Sequence, residues 1–592
     1  MSSPNSMAPS KWWKEAIVYQ IYPASFNDTN GDGMGDLPGI IGKVDYLKEL
    51  GVDVVWLSPI YDSPQVDMGY DISNYKAIHP PYGTLEDVNR LITELKKRDM
   101  KLVMDLVVNH TSHQHPWFLE SKSSLSSPKR DWYIWKKPKY DDRGNRQPPN
   151  NWVQILGEGL SAWTYDPSTE EYYLSLFTPE QPDLNWENPA VREAVHDILR
   201  FWLDRGVSGF RMDVINLISK NQSFPDAEVV LPGHVYQPGH KFYANGSRLH
   251  EYLHETKIKV LDHYDTMTVG ETPFIDDVDE MISIVHGDTG FLNMIFYFEL
   301  MDIDTGPLGK QDLKPWGVKD LRRIMNKWQK TMIERGGWIA LYLENHDQPR
   351  SLSHFCDDSD EYRETCAKLL ALMHLTLSGT VYVYQGQELG MRNVPKTWDI
   401  MTEFKDIEAI NYWKKAQELY HDQPERLKRA EEGLRAKARD NARTPVQWDA
   451  SANAGFCPAD VKPWMRVNDD YPIVNADLQM KINGEEDPSV WQFWHKMIEI
   501  RKRSAQVLVY GNFQLVDETN EHVFAYRRVA QSGETWVTVL NFTGKEVRWC
   551  VPEDVTVSEW VIGNYHGSYS SKALSGTITL KPWEGLLGRD GR

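Results

Sequence analysis

The 592-residue chain predicts an α/β fold: a (β/α)8 TIM barrel with a subdomain inserted after the third strand and a C-terminal antiparallel β domain. Three observations predict it. Near-continuously apolar strand-like runs alternate with amphipathic helix-like runs, which implies a parallel sheet covered by helices. Eight such strands can be counted in order, as a closed barrel requires. The alternation also breaks twice, once for a long aperiodic stretch and once for good.

The strands are expected at 16–22, 54–58, 102–108, 209–214, 266–270, 291–296, 338–343 and 380–384. Helices are expected at 44–50, stopped by Gly51, at 85–98, with Val88, Leu91, Ile92 and Leu95 on one face, and at 189–205. The last of these starts with Pro189 in its first turn and stops at Gly206. From about Thr111 to Tyr172 the chain is rich in Trp, Pro, Lys, Asp and Asn with little period, too long for a loop, and reads as a subdomain. After a helix at 489–502, short β-branched and aromatic runs such as HVFAYRRV and TWVTVLNF read as an antiparallel β domain. The expected divisions are barrel 1–110, inserted subdomain 111–175, barrel 176–506 and β domain 507–592.

Composition narrows the function. With 65 Lys+Arg against 85 Asp+Glu the net charge is −20, and no long basic run offsets it, which argues against nucleic acid or an anionic membrane as partner. No 18-residue window is continuously apolar, and the polar start, Met1 to Lys14, lacks the apolar stretch of a signal peptide. A cytoplasmic enzyme is expected, with a monomer compatible. Cys356, Cys366, Cys457 and Cys550 form neither a disulfide framework nor a paired metal signature.

Barrel enzymes carry reactive groups at the C-terminal ends of strands. Polar residues crowd there: Asp105, Asn109 and His110 after the third strand, Arg211 and Asp213 on the fourth, Glu271 on the fifth, and Glu344, His346 and Asp347 on the seventh. Strand alternation puts Arg211 and Asp213 on one side. The guanidinium is expected to depress the Asp213 pKa, as suits a nucleophile. A second carboxyl in a dry pocket would be raised and serve as acid. Such a pair is what glycoside hydrolysis needs. Any one of these residues alone could be a cap or an ion pair; the set is more specific than its members.

The segments DLVVNH, GFRMDV, VGET and ENHD, in this order, resemble the four signature segments of the α-amylase family (glycoside hydrolase family thirteen). QPDLN at Gln181–Asn185, with AIVYQIYPASF, DTNGDGMGDLPGI, MGYDISNY and DNARTPVQW, resembles its oligo-1,6-glucosidase, isomaltase and α-glucosidase branch. The resemblance implies Asp213 as nucleophile, Glu271 as acid/base and Asp347 as the third acid, on the sugar 2- and 3-hydroxyls. It implies Arg211 as the orienting arginine and His110 and His346 as hydroxyl donors. It implies Asp67 and Tyr70 as a pocket pair with Tyr70 as stacking platform, Arg443 as the partner of Asp67, and Phe177 near the scissile bond. Retention follows, with the working carboxyls ~5–5.5 Å apart. Exo release of glucose from short α-glucosides follows from a pocket closed behind the terminal ring. Asp105 reads as a support. Val214, directly after the nucleophile, resembles enzymes of α-1,6 linkages, although trehalose-6-phosphate hydrolases share it; maltases and sucrose-hydrolysing α-glucosidases are the other reading, and non-enzymatic relatives a remote one. The Pro-rich segment 234–240 reads as a rim loop.

Asp28, Asn30, Asp32 and Asp36 space oxygen donors at alternate positions, with Gly33 for the sharp turn. The run resembles the first nine positions of an EF-hand loop and departs at the twelfth, where Gly39 stands. Spacing alone leaves a solvated Asp/Gly turn as the alternative. The branch resemblance implies a structural Ca2+ held by these side chains and the Met34 carbonyl, and no cofactor for catalysis.

Overall fold

The computed structural model describes residues 11–591 except 276, 483–486, 568 and 570–574; the first ten residues, on which the expectation of no leader partly rests, lie outside the described residues. Eight parallel strands form the central sheet: β1 (Ile17–Ile21), β2 (Val54–Leu57), β3 (Lys101–Val107), β4 (Gly209–Asp213), β5 (Met267–Glu271), β6 (Met294–Phe296), β7 (Ala340–Leu341) and β8 (Thr380–Tyr384). Their order is β6-β5-β4-β3-β2-β1-β8-β7. A parallel bridge between Ile295 and Ile339 joins the two ends and closes the barrel. Each expected strand is present, within a residue or three at its ends.

The sequence reasons for the covering helices are local. Helix Val44–Leu50 stops where Gly51 takes φ +102, a left-handed value costly for any other residue. Helix Leu85–Lys96 is opened by a reciprocal capping box between Thr84 and Asp87 and buries Val88, Leu91, Ile92 and Leu95. Helix Pro189–Leu203 starts on Pro189, with the Asn188 side chain accepting from the Ala190 amide. The barrel interior is packed with aromatic rings rather than open. Phe296 lies 4.8 Å from Tyr382 and 5.0 Å from Tyr342, centroid to centroid, and Trp56 crosses above them.

Two excursions leave the barrel on the side of the strand C-termini. Between β3 and β4, a three-stranded antiparallel sheet orders Trp135–Lys136, Glu171–Leu174 and Trp163–Asp166. Its apolar cluster draws in Val214, Leu217 and Phe224 from the chain just after β4, so the excursion is packed onto the loop that follows Asp213. After β8 a second excursion carries helices Ile407–Tyr420 and Pro424–Lys437, with their own cluster around Trp398, Phe404, Leu434 and Met465. Periodicity did not set this segment apart from the barrel. Helix Val490–Arg503 returns to the barrel, and five antiparallel strands follow in the order Asn512–Val516, Val523–Val529, Thr535–Asn541, Gly585–Asp590, Val557–Gly563. Among the described residues no helix is long and apolar enough to cross a membrane.

Candidate active site

Arg211 is the hub. It is 1% exposed and sits on β4. Its Nη1 donates to Asp105 Oδ1 at 2.8 Å and to Asp213 Oδ1 at 2.7 Å, and its Nη2 lies 2.7 Å from Glu271 Oε2. The register explains the meeting: Arg211 pairs with Asp105 on β3 and with Val269 on β5, so two residues further along the strands Asp213 and Glu271 end side by side.

Just past β4, Val214 takes φ +35, ψ +43. A β-branched residue there is strained. The turn aims its amide at Glu271 Oε2, 3.2 Å away. Burial raises the Glu271 pKa to about 8, the Asp213 pKa to about 7 and the Asp105 pKa to about 6, with Arg211 pulling each down. This corrects the expectation that Arg211 holds Asp213 below the ordinary range. One guanidinium is divided among three buried carboxyls, and desolvation wins at each.

Asp347 differs. Burial pushes it up, but His346, Arg439 and Arg443 outweigh that and hold it well below the usual carboxylate range. Arg443 Nη2 and Arg439 Nη1 donate to its Oδ1 at 2.9 and 3.1 Å. The resemblance implies a pair between Arg443 and Asp67, and the structure does not form it. The partner is Arg439, whose Nη2 donates to Asp67 Oδ1 at 3.1 Å and lies 2.6 Å from Asp406 Oδ1, while Arg443 bonds Asp406 at 3.1 Å and the His346 carbonyl at 2.9 Å. Arg439 stands one residue before the DNARTP motif, so only its neighbourhood was visible. Asp406, Lys310 and Glu408 carry no sequence signal at all; they lie in the excursion after β8 and in a hairpin after β6.

Asp67 and Tyr70 bracket a turn with two positive φ values, Met68 at +45 and Gly69 at +102. A Cβ on Gly69 would sit 3.0 Å from the Pro59 carbonyl. The Tyr70 hydroxyl donates to Asp105 Oδ2 at 3.2 Å, and its ring stacks on His346, 5.2 Å apart and 7° from parallel. The Gln20 amide donates to His346 Nδ1 at 2.8 Å, so Nε2 carries the proton and faces Tyr70 Oη at 2.6 Å and Asp347 at 3.1 Å. Burial lowers the His346 pKa to about 3 and keeps the ring neutral.

These groups surround one cavity of about 170 Å3, lined by Asp67, Tyr70, His110, Phe177, Val214 and the three acids Asp213, Glu271 and Asp347, with Lys310, Glu408 and Arg439 among its other walls. It is smaller than the ~300–1,000 Å3 of typical ligand pockets, and so suits one small polar unit. Arg211, His346 and Arg443 stand behind the lining and bond to it.

Away from the cavity, the loop after β1 is turned onto itself. Asp28 accepts from the Gly31 and Gly33 amides at 2.7 and 2.9 Å, Asp32 from Met34 at 2.8 Å, and Asp36 from Thr29 and Gly39 at 2.8 and 2.6 Å. The side chains of Asp28, Asn30, Asp32 and Asp36 offer oxygen atoms as ligands, as a hard cation needs. Among the described residues no group of three or more His, Cys, Asp or Glu side chains is gathered to hold a metal ion.

A closed barrel with three carboxyls on one small polar cavity, Asp213 and Glu271 raised by burial and Asp347 held ionised, defines a glycoside hydrolase. Residues 20–511 match the model of the α-amylase catalytic domain. The chain is 47% identical over 585 residues, 99% of each chain, to an α-glucosidase of Schizosaccharomyces pombe. It is 47% identical over 576 residues to an oligo-1,6-glucosidase of Parageobacillus thermoglucosidasius, covering 97% of this chain and 98% of the relative. It superposes on a crystal structure of trehalose-6-phosphate hydrolase from Bacillus licheniformis with a TM-score of 0.87 and 40% identity, covering 98% of this chain and all of that one. The chain belongs to the α-amylase family.

Proposed function

We propose that the protein is a retaining, exo-acting α-glucosidase that removes single glucose units from short α-glucosides, with a preference for α-1,6 linkages. The observation that carries this reading is the small cavity on which Asp213, Glu271 and Asp347 converge, walled by the Asp67–Arg439–Asp347 network. In this reading Asp213 attacks the anomeric carbon and the bond to the leaving oxygen breaks as Glu271 protonates it. Glu271, now ionised, takes a proton from water, whose oxygen displaces Asp213. Asp347, held ionised, binds ring hydroxyls. Both cations lining the cavity are already paired, Arg439 with Asp67 and Lys310 with Glu408 at 3.3 Å. That favours a neutral sugar over a phosphorylated one.

Glucose release from isomaltose, maltose, sucrose and trehalose-6-phosphate tests the reading. Fast isomaltose with slow maltose supports it; release from the phosphorylated sugar alone overturns it. Val214 lines the cavity directly beside Asp213, and shape selection there is worth ~1–3 kcal/mol. Val214→Thr is therefore expected to raise kcat/KM for maltose about tenfold or more; no gain removes Val214 as the linkage determinant.

The carboxyl pair also predicts the pH profile. Activity needs Asp213 ionised and Glu271 protonated. kcat/KM is expected to fall below about 7, as Asp213 gains its proton, and above about 8, as Glu271 loses its own. These two limbs belong to the coupled pair. A single limb, or a plateau extending to pH 5, would contradict the assignment.

The Asp28–Asp36 loop is read as the seat of one structural Ca2+, through Asp28, Asn30, Asp32, Asp36 and the Met34 carbonyl; its support is the all-oxygen donor set. An excess of EDTA should lower Tm, and added Ca2+ should restore it. A melt indifferent to both removes the ion.

A further inference from the structure

Lys220 is almost wholly buried beneath the cavity wall, its side chain 1% exposed. It lies on the chain just after β4. Its Nζ donates to Asn109 Oδ1 at 2.8 Å and to the Leu217 carbonyl at 2.6 Å, and lies 3.0 Å from Asp183 Oδ2. Three donors thus meet three oxygens. An ammonium has no lone pair, so the Asn109 side chain must present its oxygen to Lys220. Its NH2 is thereby turned the other way, to Asp183 Oδ2 at 3.0 Å and His110 Nδ1 at 3.2 Å. His110 Nδ1 must accept. Its one proton then resides on Nε2, which donates to the Tyr70 carbonyl at 3.1 Å and lies 3.3 Å from the Gln181 amide nitrogen at the cavity lining. His110 is buried, and burial lowers its pKa to about 4, so the ring is neutral and the tautomer decides what it offers. Asp183 is itself pinned by the Leu176 amide at 2.9 Å and bridges His110 through the backbone.

We propose that Lys220 is a positioning residue of the active site: through Asn109, and together with the Tyr70 carbonyl, it holds His110 in the Nε2–H tautomer, whose proton is shared between that carbonyl and the bound sugar. The proposal rests on the reading of His110 as a substrate contact. Without Lys220 the Asn109 oxygen loses its partner, only the bond from its NH2 to Asp183 Oδ2 still holds the amide, and a turned amide offers its oxygen to Nδ1. The proton then moves to Nδ1, and Nε2 faces the cavity as an acceptor beside the Tyr70 carbonyl, with its donor lost.

The test is a double-mutant cycle on kcat/KM for the preferred glucoside, using Lys220→Met and His110→Ala. Removing Lys220 alone leaves Asp183 uncompensated and could disturb the fold. The cycle is therefore repeated with Lys220→Met combined with Asp183→Asn, which removes both charges, and Tm is read for every variant. Each Lys220 variant should lose roughly tenfold in kcat/KM, about the value of one hydrogen bond, and the loss should vanish in the His110→Ala background. The Lys220→Met/Asp183→Asn variant should keep the activity deficit even where its Tm returns to that of the parent. Losses that multiply with that of His110→Ala, or full activity in the charge-neutral double variant, overturn the proposal and leave the pocket reading intact. An unchanged kcat/KM in His110→Ala overturns the proposal together with the assignment of His110 as a sugar contact.

Discussion

Glu271→Gln is expected to lower kcat for an unactivated disaccharide by about 10²–10⁴-fold, the usual worth of a positioned general acid, with little change in Tm. The side chain it replaces is raised to about 8, and so carries a proton at neutral pH. Glutamine keeps the shape, and its oxygen can still accept from Arg211 and from the Val214 amide, which stand 2.7 and 3.2 Å from Glu271 Oε2. What it cannot do is release a proton to the leaving oxygen. A nitrophenyl glucoside, whose leaving group departs as a stable anion, needs far less help. The deficit should shrink on that substrate in the glycosylation step. Equal deficits on the two substrates would show that Gln had disturbed the pocket and would remove Glu271 as the acid. Unimpaired turnover would do the same more bluntly.

Arg439→Ala carries the largest expected cost in stability. Its guanidinium stands within 3.5 Å of four carboxyls, Asp67, Asp347, Asp406 and Glu408. Asp67 and Asp406 are buried. Removing the partner of buried carboxylates typically costs about 3–5 kcal/mol, because the charges remain in a poor solvent. Asp67, whose pKa burial already raises to about 6, should take up a proton near neutral pH and soften the loss. The defect should therefore ease as pH falls toward 5, while kcat/KM falls at all pH values because the cavity wall opens. Arg439→Lys should rescue little, since an ammonium cannot bridge several acids in the manner of a planar fork. Thermal melts of both variants between pH 5 and 8 check this; a Tm within a degree of the parent would show that the network is not what holds the wall.

Much of the barrel was legible because its strands are apolar through their length and its helices carry their stops with them. Gly51 and Gly206, Pro189 and the Thr84 cap are local instructions. The convergence of Asp213, Glu271 and Asp347 was legible too: the first two end their strands, where register brings them side by side, and the third follows β7 by six residues and lines the same cavity. Three things were not. The partner of Asp67 was misassigned, because Arg439 and Arg443 lie four residues apart on one short turn and only three-dimensional reach tells them apart. The direction of the Asp213 pKa shift was misjudged, because a pairwise rule sees one Arg beside one Asp, whereas Arg211 serves Asp105 and Glu271 as well. Lys310 stands on a hairpin strand, Asp406 caps helix Ile407–Tyr420 and Glu408 lies in its first turn, so none of them is at a barrel-strand end that would mark it.

The bond between Asp67 and Arg439 spans 372 positions in the chain. A ribosome delivers residues in order, and a bacterial or eukaryotic chain grows at ~5–20 residues per second. Asp67 and the first three barrel strands thus emerge long before the guanidinium that neutralises this carboxyl is synthesised. Contacts of such long range close late, since the loop entropy must be lost before they return anything. A nascent chain therefore carries an unfinished, inert pocket through most of translation, and catalytic competence arrives as one of the last events of folding rather than growing with length.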